Sequence, residues 1–172
     1  MPSFVDFCAD YFEKYFRLYP AEAIYYGVTG YDYLLNDYSD ETYAAQKRLV
    51  NDSLETLRQM AVNDLDADQA IDYALLEGRL SIQKYEQEKE DYRLKWPDHY
   101  LATDAIYILT VRETDDLEKN LLSRLQGTAD LVHQGISNLS RPEANPPRLW
   151  TEMSIQAAKG GTTFLETLPG HP

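Results

Sequence analysis

The sequence predicts an all-α protein, a bundle of six or seven helices joined by short loops and containing no sheet. Three observations lead there. Apolar residues recur at the 3.6-residue spacing of one helix face in almost every segment. No stretch alternates apolar and polar residues with period two, and Asn-Gly and Asp-Gly hairpin turns are absent. Capping residues and prolines punctuate the periodic runs where helices should begin and end.

The elements follow in order. Ser3, with Asp6 three residues on, caps a first helix whose stripe is Phe4, Cys8, Tyr11/Phe12 and Tyr15. That helix must stop before Pro20, because a residue preceding proline is pushed out of the α region. Pro20 suits the first turn of a short helix, PAEAIYYG, closed by Gly27. The turn-rich, aromatic GYDYLLNDYSD is an ordered loop. Ser39 caps the next helix, with Val50, Leu54, Leu57 and Met60/Ala61 on one face. After a break at 63–66, Ile71, Leu75, Gly78/Arg79, Ile82 and Tyr85 fall in register on a further helix, whose charged end YEQEKEDYR is solvated. Trp96-Pro97 stops it, and the short apolar helix YLATDAIYILTV follows. Asp115 or Asp116 caps another, carrying Leu121, Leu122, Leu125, Val132, Ile136 and Leu139. Pro142, Pro146 and Pro147 exclude helix from RPEANPP, and a last helix runs from about Arg148 to Leu168, weakened by Gly160-Gly161. The expected core includes Cys8, Leu54, Leu75, Ile82, Leu125 and Val132. The expected organisation is a helical bundle over 1–140, a Pro-rich connector over 141–147, and a C-terminal helix and tail over 148–172 within the same domain.

Charge and composition narrow the partners. The 172 residues carry a formal charge of −13, and residues 1–92 hold 19 acidic against 8 basic side chains. So negative a surface repels phosphate backbones and anionic lipid, so nucleic acid and membrane are not expected partners. The start, MPSFVDFCADYFEKYF, has neither a basic leader nor an unbroken apolar run, and a cytoplasmic location is expected. Cys8 is the single cysteine and reads as a small packing residue rather than a reactive thiol.

No catalytic or metal constellation emerges. The three histidines, His99, His133 and His171, show neither an H-E-x-x-H arrangement nor another ligand spacing. Asp115 and Asp116 are explained as caps, and Asp32 as a turn residue bonding backbone amides. Nucleophile-elbow, phosphate-loop, dinucleotide and Cys-x-x-Cys motifs are absent. The unusual feature is tyrosine: of 14, nine fall within residues 11–43. A ring that packs while its hydroxyl seeks a partner suits helix seams, groove walls and interfaces alike. Tyr25, Tyr26, Tyr31 and Tyr33, and the last helix with Trp150, Ile155, Phe164 and Leu165, are the candidate association surfaces.

Several segments together resemble the N-terminal half of a bacterial family labelled domain of unknown function 885. They are LYPAEAIYYGVTGYDYLLNDYS, with Pro20, Ala23, Gly27, Tyr31, Asp32 and Asp37; AIDYALLEGRL, with Ile71, Asp72, Leu75 and Leu76; WPDHYL, with Pro97 and Tyr100; and LLSRLQGTADLVHQGISNLSRP, with Arg124, Leu125, Asn138 and Leu139. Members of that family are longer and resemble helical zinc metallopeptidases, with a metal-binding H-E-x-x-P-G-H-like helix in the later half. The resemblance implies that this chain is the non-catalytic N-terminal helical portion, truncated before the zinc site, so that no catalytic or metal residue carries over and no cofactor is expected. Whether this chain alone is an enzyme stays open, with the negative favoured. The family-pattern positions offered as possible binding residues are Tyr31, Asp32, Asp72, Tyr100 and Arg124. Self-association, most simply as a dimer, or a separate protein or peptide partner is expected. The alternative is a free-standing helical interaction module using the tyrosine-rich face.

Overall fold

In the computed structural model, which describes residues 3–168, every regular element is helical and no strand occurs among the described residues. Six α-helices span Phe4–Leu18 (α1), Asp40–Arg58 (α2), Ala67–Lys89 (α3), Thr103–Val111 (α4), Leu117–Leu139 (α5) and Arg148–Thr167 (α6). The PAEAIYY segment is a 3-10 helix, Pro20–Tyr26, and shorter 3-10 turns occupy Val62–Asp64, Tyr92–Leu94 and Pro97–Tyr100. The chain forms two compact units, each built from segments distant in sequence.

The first unit comprises residues up to Leu18 together with Ser39–Asp91. Its three helices begin where their caps dictate. The Ser3 hydroxyl accepts from the Asp6 amide at 3.2 Å, and Ser39 accepts from the Thr42 amide at 3.2 Å. Asp66 and Gln69 form a reciprocal capping box at the start of α3. Tyr11, Val50, Leu54 and Leu80 form one buried cluster, and Phe4, Phe7 and Leu57 another, with half-buried Leu76 touching both.

The second unit comprises Tyr19–Tyr38 and the chain from Tyr92 onward. Gly27 closes the first 3-10 helix at φ +69°, a left-handed conformation that glycine adopts without strain. Tyr38, Tyr100, Ala102, Ile106 and Leu131 make the main core, against which Phe164 and Leu165 of α6 pack. Close approach is built on small residues. A Cβ at Gly135 would lie 2.6 Å from the Tyr100 ring, and one at Gly161 would collide with Thr103. The glycine pair expected to weaken the last helix therefore includes a residue whose lack of a side chain lets α6 pack.

The expected core is corrected at five of six positions. Leu54 is buried, whereas Cys8 is only half-buried, and Leu75, Ile82, Leu125 and Val132 are exposed. In α3 the buried residue is Leu80, and Ile71, Leu75, Ile82 and Tyr85 form an outward stripe. Helix α5 is inverted more completely. It buries Asn120, Arg124, Leu131, Gly135 and Asn138, and exposes Leu122, Leu125, Val132 and Ile136. Periodicity reveals that a helix has two unlike faces, but not which face the neighbours demand. In α5 the neighbours demand hydrogen-bond partners.

Candidate functional site

The loops of the second unit cannot satisfy their own backbone groups, and a buried carbonyl left unpaired is costly. The polar face of α5 answers them. The Tyr38 carbonyl accepts from both Asn138 Nδ2 and the Arg93 guanidinium, each at 3.0 Å, while the Tyr38 amide donates to Gln134 Oε1 at 2.7 Å. Asn138 also donates to the Tyr100 hydroxyl at 3.0 Å, and that hydroxyl donates to the Arg93 carbonyl at 2.8 Å. Five residues from four segments are thereby locked together.

A second buried cluster lies about three to five turns earlier on α5. Thr114 Oγ1 donates to Asp32 Oδ2 at 3.1 Å and accepts from Asn120 Nδ2 at 2.7 Å. Arg124, whose side chain is wholly buried, donates to the Ala105 carbonyl. Burial lowers its pKa to about 10, while the neighbouring Asp32 carboxylate and Tyr25 act the other way. The guanidinium is therefore still charged at neutral pH. Arg124 Nε and Nη2 and Asp32 Oδ1 are buried without a hydrogen-bond partner among the described residues. The pair is polar and enclosed, and part of its hydrogen-bonding capacity is unused among the described residues.

The surface feature of this unit is an aromatic ladder. Trp150 meets Trp96 at 4.2 Å between ring centroids, Trp96 stacks on His99 at 5.5 Å, and His99 stacks on Tyr38 at 5.9 Å. Burial pushes the His99 pKa below its usual value, with Asp98 opposing, so the ring is neutral at pH 7. Beside the ladder opens a cleft of about 500 Å³, lined by Trp96, Trp150, Met153, Leu101, Asp98 and Asp104 among others. Its volume lies within the range of small-molecule sites. Among the described residues no group of three or more His, Cys, Asp or Glu side chains could hold a metal ion.

The family described as "Bacterial protein of unknown function (DUF885)" matches residues 20–170. The chain belongs to that family. No curated protein matches this DUF885 chain. Among solved structures it is similar to "a putative lipoprotein of unknown function" from Shewanella oneidensis, with a TM-score of 0.79 at 20% sequence identity. The likeness covers 94% of this chain and 29% of the other, so this chain spans less than a third of that protein's length. At that identity the match establishes a shared helical fold.

Within this DUF885 chain the family-pattern residues do not converge on one site. Asp32 and Arg124 come together through the buried cluster, and Tyr100 joins the Tyr38 network in the same unit. Tyr31 is half-buried in the loop, its carbonyl accepting from the Leu34 amide. Asp72 belongs to the other unit, exposed on α3 beside Cys8, whose thiol pKa is raised by burial and then by Asp72. His133 is exposed on α5, and His171 lies outside the described residues. Asn120, Thr114, Arg93 and the Trp96–Trp150 pair escaped the sequence reading. A signal for the first existed, since Asn120, Arg124 and Asn138 repeat at helical spacing along α5. None existed for the tryptophan pair, whose members are 54 residues apart in sequence. Of the proposed association surfaces, Tyr25, Tyr26 and Tyr33 are exposed. In α6, by contrast, Phe164 and Leu165 pack within the unit and Trp150 rests on Trp96, leaving Ile155 outward.

Proposed function

We propose that this chain is the non-catalytic N-terminal helical portion of a zinc-metallopeptidase-like bacterial architecture, flanking a substrate cleft whose chemistry other polypeptide supplies. The observation that carries the reading is coverage: nearly all of this chain matches less than a third of the Shewanella protein. The outer faces fit the same role. Ile71, Leu75, Ile82 and Tyr85 on α3, and Leu122, Leu125, Val132 and Ile136 on α5, recur at three-, four- and seven-residue intervals that keep each set on one helix face able to seat another helix. Such stripes are unusual on a surface left to water. The buried clusters around Asp32–Arg124 and Tyr38–Asn138 suit a scaffold, since they tie loops in place.

The free-standing interaction module remains a second reading, favoured by the exposed Tyr25, Tyr26 and Tyr33. Cytoplasmic residence belongs to the first reading. No helix of the described residues is long and apolar enough to cross a membrane, but the Shewanella protein is by name "a putative lipoprotein", so cell fractionation decides the location.

Metal content and peptidase activity test the main reading together. After dialysis the purified chain is expected to retain well under 0.1 zinc per chain, on the order expected where no ligand set of three or four groups is formed. It should cleave neither casein nor a fluorogenic peptide library. About one tightly held zinc per chain, with hydrolysis that a chelator abolishes, would overturn the non-catalytic assignment.

A further inference from the structure

We propose that the Trp96–Trp150 cleft of the second unit binds a small organic cation, an amine carried on an apolar body. The walls set the body. Trp96, Trp150, Leu101 and Met153 give the cleft of about 500 Å³ a largely apolar and aromatic lining. The charge comes from Asp98 and Asp104. Both also line an adjoining hollow of about 210 Å³, where Glu22, Tyr25, Tyr38 and His99 join them. No lysine or arginine lines either cavity. Neither the Asp98 nor the Asp104 carboxylate has an ion-pair or hydrogen-bond partner among the described residues, and the neutral His99 ring adds no positive charge.

An ammonium group held near an indole face is attracted by the negative face of the ring, and more strongly where water is partly excluded. Two carboxylates in the lining add direct attraction and repel anions. A plainer role exists for Asp104, which lies in the first turn of α4 and complements the helix dipole there. That role explains neither Asp98 nor the two tryptophans packed against each other in the cleft wall. Acidic residues with aromatic walls and no basic residue select a cation with an apolar portion over the neutral or anionic molecule of the same shape.

The chain carries only two tryptophans, and both are walls of this cleft, so emission excited selectively from tryptophan reports on it alone. The test titrates the full chain with 2-phenylethylammonium, 2-phenylethanol and 3-phenylpropionate. A saturable change with the ammonium compound is expected, at least about tenfold weaker with the alcohol and absent with the carboxylate, a tenfold ratio being a 1.4 kcal/mol difference in binding. The double variant Asp98→Asn/Asp104→Asn should lose about tenfold in affinity, with its circular dichroism and thermal midpoint unchanged. Raising the salt concentration should weaken binding to the parent chain more than the residual binding of the double variant. Equal affinity for amine and alcohol, no saturable response to the amine, or an undiminished double variant overturns the proposal. A response to Nα-acetyl-lysinamide without one to 2-phenylethylammonium would reassign the cleft to a side chain of a polypeptide and overturn the small-molecule form.

Discussion

Two leucines five residues apart on α3 should differ sharply when truncated. Leu80 is 0% exposed and packs in the cluster of Tyr11, Val50 and Leu54, whereas Leu75 is 68% exposed on the outward stripe. Replacing Leu80 with alanine removes buried carbons and leaves a cavity that the surrounding helices fill only partly, a loss of about 2–5 kcal/mol. At Leu75 only about a third of the side chain is out of water. Full burial of a leucine contributes roughly 1.5–3 kcal/mol, so truncation there loses at most about 0.5–1 kcal/mol and opens no cavity. Urea unfolding followed by far-UV circular dichroism measures both. With a slope of about 1–3 kcal/mol per molar, the Leu80→Ala midpoint should fall by roughly 1 M or more, and that of Leu75→Ala by a few tenths. A Leu75→Ala loss above about 2 kcal/mol, or a Leu80→Ala loss below about 1, would mean that α3 buries its other face.

Three further outcomes follow from the second unit. Gly135→Ala should destabilise by about 1–3 kcal/mol, the usual penalty of forcing extra atoms into a packed seam, because the new methyl would sit 2.6 Å from the Tyr100 ring; calorimetry showing an unchanged or raised midpoint would contradict that packing. Tyr100→Phe removes a hydroxyl bonded to both Asn138 and the Arg93 carbonyl, so a loss of about 1–3 kcal/mol is expected in urea unfolding, and a neutral result would argue against the network. His99 is held below its ordinary pKa of 6.5, so between the folded and unfolded values the unfolded chain binds more protons. Its contribution is complete above pH 6.5 and is lost as pH falls from there towards the folded value. The drop in urea midpoint from pH 7.5 to 5.5 should therefore be smaller in His99→Phe than in the parent chain, and an equal or larger drop would contradict the burial of that ring.

The boundaries were readable in the sequence because they depend on local chemistry. Ser3, Ser39 and Asp116 cap the helices they precede, and Pro20 and the 141–147 prolines lie outside every α-helix. Orientation was not readable, because it depends on what a face meets. Leu125 and Val132 look like core residues until Asn138 and Arg124 are seen to serve carbonyls at Tyr38 and Ala105. The site residues divide in the same way. Asp32 and Arg124 drew attention from a family pattern and prove to be neighbours. The Trp96–Trp150 cleft arises only when α6 packs beside the Pro97–Tyr100 turn, a long-range event that no local pattern encodes.

Sedimentation velocity of the chain alone, at about 100 μM and at low and high salt, tests the scaffold reading most directly. Apolar stripes shaped to receive further polypeptide should pair with one another when that polypeptide is absent, since their burial contributes about 25 cal/mol per Å². The charge of −13 opposes this contact, so salt that screens it should tighten the association. Reversible self-association is expected that strengthens with salt and is abolished by Leu122→Gln/Ile136→Gln on α5 or by Leu75→Gln/Ile82→Gln on α3. A clean monomer at both salt concentrations would contradict it.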